Sequence, residues 1–147
     1  MSREATERPP RSRLYVDTSA YLCILLGEDG SERLSRETEA AELLSSVLLM
    51  LEARRNLIRL AREGTLPANR YKTVLDRLEE DVPRFVLRDL TLELCQSITM
   101  PAVAIPRTLD LAHLRTALWF HAAQKIDRFV TMDAAQGQAA RELGLPV

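Results

Sequence analysis

The chain has 147 residues, a formal net charge of −1 and a sequence pI of about 6.1; 46% of its residues are hydrophobic and 28% are charged. This balance is typical of one globular domain with a single core, and it excludes a disordered chain. It also excludes a protein that attracts nucleic acid through a global basic field, so any such binding would depend on a local patch.

Short apolar runs alternate with longer helical patterns along the chain. Strands are predicted at 13–17, 41–46, 84–88 and 128–132, and at the terminal "LPV". Helices are predicted at 18–38 with a break at "GEDG", and at 47–63, 67–80, 90–99, 108–124 and 134–143. Strands separated by helices pair in parallel through right-handed crossovers. We therefore expect an α/β fold, a three-layer α/β/α sandwich with a central, mostly parallel sheet.

The first 12 residues are polar and charged, and we expect a flexible arm at 1–12 followed by a single domain at 13–147. The arm lacks the apolar segment of a secretory signal. The longest apolar run, Val47 to Leu51, is far too short to span a membrane. Cys23 and Cys95 lie among apolar residues without metal-site spacing, which predicts small core residues in a reducing compartment and a cytoplasmic protein.

Four acidic residues fall where the predicted elements meet. Asp17 ends the first strand, and Asp133 ends the run "DRFVTMD". Asp110 opens a predicted helix, and Glu52 lies about one and a half turns into the helix after the second strand. Because open α/β sheets hold their ligands at the carboxyl ends of strands, all four can lie near one edge. The simpler alternatives are N-caps for the three aspartates and a solvent-facing helix position for Glu52.

A cluster of these carboxylates would need a cation. Two carboxylates about 4 Å apart repel by roughly 4 kcal/mol at an effective dielectric of 20. The expected cation is Mg²⁺ or Mn²⁺, since the sequence offers no Cys/His set typical of zinc. His113 could be a ligand, but a histidine that is hydrogen-bonded in the core or supports a ligand is the favoured alternative. Such a cation can activate water against a phosphodiester, so the pattern predicts phosphodiester hydrolysis.

A local basic patch begins beside Glu52. The cations between residues 53 and 72 are Arg54, Arg55, Arg59, Arg62, Arg70 and Lys72, and the only acid there is Glu63. Arg54, Arg55 and Arg59 lie one or two turns from Glu52 and could line a groove that holds RNA phosphates. A solvated helix face is an equally weighted interpretation.

Apolar side chains on two predicted helices suggest self-association. They are Tyr21, Leu22, Ile24, Leu25 and Leu26 in the first helical region, and Leu66, Tyr71, Val74, Leu75 and Leu78 in the third. One sheet needs only part of this surface covered, so the remainder could form a two-fold patch.

The segments "LYVDTSAYL", "SSVLLMLEARRNL", "RTLDLAHLRTALWF" and "DRFVTMDAAQGQAARELGLPV" resemble, in order and local context, those of PIN-domain ribonucleases, and most of all VapC-type toxins of bacterial toxin–antitoxin pairs. The resemblance spans residues 14–147. It implies a PIN-like fold and a Mg²⁺- or Mn²⁺-dependent endoribonuclease. Its catalytic and metal-binding quartet would be Asp17, Glu52, Asp110 and Asp133, supported by hydrogen bonds from Ser19. It also implies a homodimer and a small antitoxin protein that occludes the site.

Two alternatives belong to other classes. A catalytically weak PIN domain could serve as an RNA- or protein-binding module, although the presence of all four acids argues against it. A phosphotransfer domain could use Asp17 as nucleophile. That domain needs a second acid two residues further on, where this chain has Ser19.

Overall fold

Strands and helices alternate along the chain in the computed structural model, which describes residues 10–96, 102–104 and 107–147. The elements in chain order are β1 (Arg13–Val16), α1 (Thr18–Leu26), α2 (Ser31–Glu39), β2 (Glu42–Ser46), α3 (Leu48–Arg62), α4 (Ala68–Asp81), a 3₁₀ turn (Val82–Arg84), β3 (Phe85–Arg88), α5 (Leu92–Gln96), α6 (Thr108–Ala123), β4 (Arg128–Val130) and α7 (Ala134–Glu142).

The four described strands form one parallel sheet in the order β3-β2-β1-β4. Strand β1 is central: Tyr15 is in register with Leu44 of β2 and with Phe129 of β4. Because all pairs are parallel, the carboxyl ends of the strands meet at one edge of the sheet. The predicted α/β class with a parallel central sheet between helices is confirmed.

Both faces of the sheet are buried, and the alternation along β1 explains how. Leu14 and Val16 point into an apolar cluster with α1, α3 and α4, whereas Tyr15 points into a second cluster with α6, β4 and α7. Successive side chains of a strand face opposite sides, so a strand buried on both faces reads as a continuous apolar run. This is the pattern that predicted β1.

The break predicted within 18–38 is present at Gly27. Helix α1 ends at Leu26, and Gly27 has φ 67° with its N–H donating to the carbonyl of Ile24 at 3.3 Å. A glycine adopts this left-handed conformation without a steric cost, and it closes the helix end. The chain can then turn and begin α2.

Three sequence predictions differ from the structure or lie outside it. The terminal "LPV" is not a strand, although the carbonyl of Pro146 accepts a hydrogen bond from the N–H of Phe129 at 2.6 Å. Proline has no backbone N–H to donate to β4, so the regular hydrogen bonds of a strand pair cannot form at Pro146. The helix predicted at 90–99 is observed only as α5, and residues 97–99 lie outside the described residues. Residues 1–9 of the predicted arm also lie outside them, and Pro10, Arg11 and Ser12 are exposed.

One expectation about apolar side chains was wrong, and the two-fold patch stays a prediction. Cys23 is buried as predicted, but Cys95 is exposed on α5. Of the ten apolar residues assigned to a two-fold patch, four are buried and the other six are only partly buried against the cluster formed by α1, α3 and α4. Within the described ranges, no helix has the length and apolar character needed to cross a membrane.

Candidate functional site

Asp17 lies directly after β1, at the carboxyl edge of the sheet. Its backbone N–H donates to Val130 at 3.1 Å, and its side chain caps α1. The carboxylate Oδ1 accepts hydrogen bonds from the backbone N–H of Ala20 at 3.0 Å and from the hydroxyl of Ser19 at 2.7 Å. The capping alternative is therefore real for Asp17, and it engages one of the two carboxylate oxygens.

Burial is the main influence on the charge of Asp17, which is only 4% exposed. Burial raises the pKa of Asp17, and nearby groups only partly oppose the rise: the hydroxyls of Thr131 and Ser19, the Ala20 N–H and the charge of His113. A net rise means that the surroundings compensate the negative charge less well than water does.

Glu52 projects from α3 towards the same edge. Its Oε1 accepts hydrogen bonds from the hydroxyl of Thr18 at 2.8 Å and from Nε2 of His113 at 2.7 Å. Burial alone would raise the pKa of Glu52, but the hydrogen bond and charge of His113, with Thr18 and Arg55, outweigh burial and lower it. The structure thus stabilises Glu52 as a carboxylate.

His113 is a buried, hydrogen-bonded histidine on α6. Its Nδ1 lies 2.8 Å from the hydroxyl of Tyr15, and its Nε2 faces Glu52 and Thr18. The interpretation of His113 as a core residue that supports a carboxylate is therefore confirmed.

Asp110 is the third residue of α6, half-buried in its first turn. Arg107 occupies the N-cap position, so the capping alternative for Asp110 is wrong. Burial raises the pKa of Asp110, and the charges of Asp133, Glu52 and Asp17 raise it further while Arg107 opposes them. The Asp110 carboxylate therefore senses the negative charge of the other three acids.

Asp133 is exposed and caps α7. Its Oδ1 accepts hydrogen bonds from the N–H groups of Ala135 at 2.9 Å and Gln136 at 3.2 Å. The side-chain amide of the buried Gln136 donates to the backbone carbonyl of Asp110 at 2.9 Å. The first turns of α6 and α7 are thereby fastened together, each with its own acid.

Ser19 ties the end of β1 to the segment between β4 and α7. Its hydroxyl donates to Asp17 and accepts a hydrogen bond from the N–H of Met132 at 2.9 Å. It also lies 3.2 Å from the hydroxyl of Thr131. Ser19 therefore holds the Asp17 carboxylate in place by a hydrogen bond.

The three arginines of the predicted RNA-binding groove differ in their surroundings. Arg54 forms an ion pair with Glu79 of α4, and Arg59 pairs with Glu63 one turn along α3 at 3.0 Å. Arg55 is exposed, and its charge contributes to lowering the pKa of Glu52. Of the three arginines, Arg55 alone lies near the acidic group and forms no ion pair with a described side chain.

The donor set suits a hard divalent cation by its chemistry. It consists of carboxylates, which Mg²⁺ and Mn²⁺ prefer, and His113 is occupied by Tyr15 and Glu52. In the described part of the chain, however, no three acidic, histidine or cysteine side chains are gathered closely enough to form a ready-made metal site. Each of Asp17, Glu52 and Asp133 is held by its own hydrogen bonds, and like charges repel.

Sequence reasoning missed Thr18, Thr131 and Gln136 as parts of this arrangement. The hydroxyl of Thr18 donates to Glu52, and the hydroxyl of Thr131 interacts with Asp17. Gln136 joins α7 to α6 through the carbonyl of Asp110. A detectable signal existed only for Thr18, which follows Asp17 directly. The contacts of the other two depend on tertiary packing between distant segments.

Comparison with models of known protein families finds no match, and a search of curated proteins likewise finds no match to the chain.

Proposed function

We propose that the chain is a Mg²⁺- or Mn²⁺-dependent endoribonuclease of PIN-domain type that hydrolyses phosphodiester bonds of RNA. One observation carries the proposal: four carboxylates from four separate segments lie at the carboxyl edge of one parallel sheet, where hydrogen bonds join Thr18 to Glu52 and Gln136 to the backbone of Asp110. Ligands of open α/β folds bind at this edge.

Each residue has a defined task under this proposal. Asp17, Glu52 and Asp110 hold the cation, Asp133 completes the quartet, and one carboxylate accepts the proton of the attacking water. When bound, the cation polarises the phosphodiester and lowers the pKa of water. Ser19 keeps Asp17 in place through its 2.7 Å hydrogen bond, and Arg55 contacts an RNA phosphate.

The cellular role that we propose rests on the family resemblance. The chain acts in the cytoplasm as the toxin of a toxin–antitoxin pair, forms a homodimer, and is inhibited by a small antitoxin protein that covers the acidic group. The charge arrangement supports one feature of that partner: a cationic side chain of the antitoxin can offset the carboxylates in place of the metal.

The test is cleavage of a small panel of structured and single-stranded RNAs with Mn²⁺, with EDTA as the control. We expect internal cleavage that EDTA abolishes. RNA binding without cleavage would instead favour a catalytically weak PIN domain that acts as a binding module. We expect no phosphate to be incorporated at Asp17. An acid-stable, base-labile phosphate on Asp17 would favour the phosphotransfer alternative.

A further inference from the structure

A buried chain of hydrogen bonds runs from the core of the molecule to Glu52. It begins at Tyr15, which is fully buried and stacked on Phe129 with ring centroids 5.3 Å apart and planes inclined by 7°. The Tyr15 hydroxyl lies 2.8 Å from His113 Nδ1, and His113 Nε2 lies 2.7 Å from Glu52 Oε1. The chain therefore connects a rigid aromatic pair to a carboxylate at the edge of the sheet.

The direction of the chain follows from what each group can donate. A carboxylate only accepts, so Nε2 of His113 carries the hydrogen and donates to Glu52. Where the imidazole is neutral, Nδ1 is then an acceptor and the Tyr15 hydroxyl donates to it. Where the imidazole is protonated, Nδ1 carries a hydrogen as well, and in both forms Nε2 donates to Glu52. The hydroxyls of Ser45 and Thr116 lie beside the Tyr15 hydroxyl, but each donates its own hydrogen to a backbone carbonyl at 2.7 Å. Neither therefore replaces Tyr15 as the donor to His113 Nδ1.

Both side-chain donors to Glu52 reach the same oxygen. Thr18 donates to Oε1 at 2.8 Å, as does His113, and no described residue donates to Oε2. Two donors on one oxygen fix the rotation of a flexible side chain, and they leave the second oxygen for another partner.

We propose that Tyr15 and His113 are positioning residues that hold Glu52 by Oε1, so that Oε2 is left for the cation of the candidate site. This inference rests on the proposed function. It assigns a specific task to a core tyrosine that touches neither substrate nor cation. Its effect reaches the site only through the His113 imidazole.

The first experiment measures Mn²⁺ affinity by titration calorimetry for the wild type and Tyr15→Phe. This substitution removes one hydroxyl and keeps the aromatic ring on Phe129. We expect Mn²⁺ affinity to fall by about 10- to 100-fold, as is typical when a residue supporting a metal ligand is lost. An unchanged Mn²⁺ affinity in folded Tyr15→Phe would overturn the positioning role.

Tyr21→Phe is the matched control. Tyr21 is also buried, and its hydroxyl also donates to a carboxylate, Asp81, at 2.9 Å. Asp81 precedes β3, at the amino end of the sheet and away from the candidate site. We expect Tyr21→Phe to lower the thermal midpoint while Mn²⁺ affinity stays the same. An equal loss of affinity in both variants would mean that general loosening of the fold explains it, which contradicts the proposal.

His113 variants test the same chain by rescue. His113→Gln retains an N–H donor for Glu52, whereas His113→Leu fills the space without one, so Gln should preserve more Mn²⁺ affinity than Leu. The imidazole ¹⁵N shifts of the metal-free wild type give a readout independent of metal binding, and we expect the tautomer with hydrogen on Nε2. The opposite tautomer, or equal affinities for the two variants, would contradict the inference.

These outcomes separate the two proposals. If Mn²⁺ binds with the expected pattern but RNA is not cleaved, the ribonuclease proposal fails and the positioning role stands. If RNA is cleaved and Tyr15→Phe binds Mn²⁺ like the wild type, only the positioning role fails. Absence of Mn²⁺ binding to the wild type would overturn both.

Discussion

Asp17 combines a structural contact and a candidate chemical role in one side chain. Oδ1 accepts both hydrogen bonds that fasten the start of α1, from Ala20 and Ser19. The hydroxyl of Thr131 also interacts with the Asp17 carboxylate. Burial disfavours the charge and raises the pKa of this carboxyl. A residue needed only as a cap would perform equally well as asparagine.

Asp17→Asn is therefore informative. Asparagine keeps an oxygen for Ala20 and Ser19 but removes the charge, so we expect at least about a 100-fold loss of cleavage, beyond what loss of a merely supporting residue causes. Because the folded-state pKa of Asp17 is raised, its ionisation costs stability as pH rises through that pKa. The variant should consequently unfold at the same or a higher temperature without metal. Full Mn²⁺-dependent activity would contradict the site assignment.

Glu52 has the opposite effect on stability. Its pKa is lowered in the folded state despite burial, because His113, Thr18 and Arg55 stabilise the carboxylate. A lowered pKa contributes stability above the unfolded-state pKa, and that contribution is lost as pH falls through the folded-state value.

We expect this loss to be visible in urea unfolding measured from neutral pH to about pH 3. The free energy of unfolding of the wild type should fall more steeply with acidification than that of Glu52→Gln, which lacks the titrating group. Glu42→Gln is a control, since Glu42 pairs with Arg13 away from the acidic group. Parallel pH profiles for the wild type and Glu52→Gln would show that the Glu52 contacts contribute no net stability.

At the scale of elements, α3 presents a partly buried acidic side chain and an exposed basic side chain one turn apart. Glu52 turns inward to Thr18 and His113, while Arg55 remains exposed three residues later. Arg54 faces α4, where it pairs with Glu79. The adjacent arginines are therefore a matched pair with different surroundings on the same helix.

Arg55→Ala should weaken RNA binding and reduce the slope of log affinity against log salt by about one unit, the contribution of one phosphate contact. Arg54→Ala should leave that slope unchanged, because its charge is already paired. Fluorescence anisotropy at several salt concentrations measures both, in the presence of EDTA to prevent cleavage. Equal slopes for the wild type and Arg55→Ala would support the solvated-face interpretation of α3.

The elements that the sequence predicts best are those with strong local signals. The apolar run of β1 and the glycine that closes α1 correspond directly to the structure. "LPV" has the apolar character of a strand, but Pro146 cannot donate to a ladder. The candidate acids could be found because each follows a strand or occupies the first turns of a helix. The hydrogen bond from His113 to Glu52 joins residues 61 positions apart, so no local pattern specifies it.

At the scale of the whole molecule, self-association is the prediction with the least structural support. Of the apolar residues proposed for a two-fold patch, four are buried by the packing of α1, α3 and α4, and six remain partly buried. Sequence periodicity indicates which face of a helix is apolar, but not whether the neighbour covering it belongs to the same chain. The large exposed apolar side chains lie elsewhere, for example Leu51 and Ile58 on α3.

The family resemblance still leads us to expect a homodimer at micromolar concentration. Light scattering should give twice the 16.6 kDa mass of one chain. A dimer should also dissociate on dilution, which a series of concentrations would reveal. A mass of one chain throughout the micromolar range would exclude the dimer.

The position of β1 between β2 and β4 has a consequence for how the protein is made. The N–H of Arg13 donates to the carboxylate of Asp127, 114 residues later, at 2.6 Å, and β4 completes one side of β1. At 5–20 residues per second, translation separates these partners by roughly 6–23 s. Until β4 has been synthesised, the nascent chain therefore holds its central strand half paired, without the turn that presents Asp133. The acidic group is completed only after β4 and the turn that follows it have been synthesised, so an inhibitor that recognises the assembled group does not bind a chain that still lacks β4.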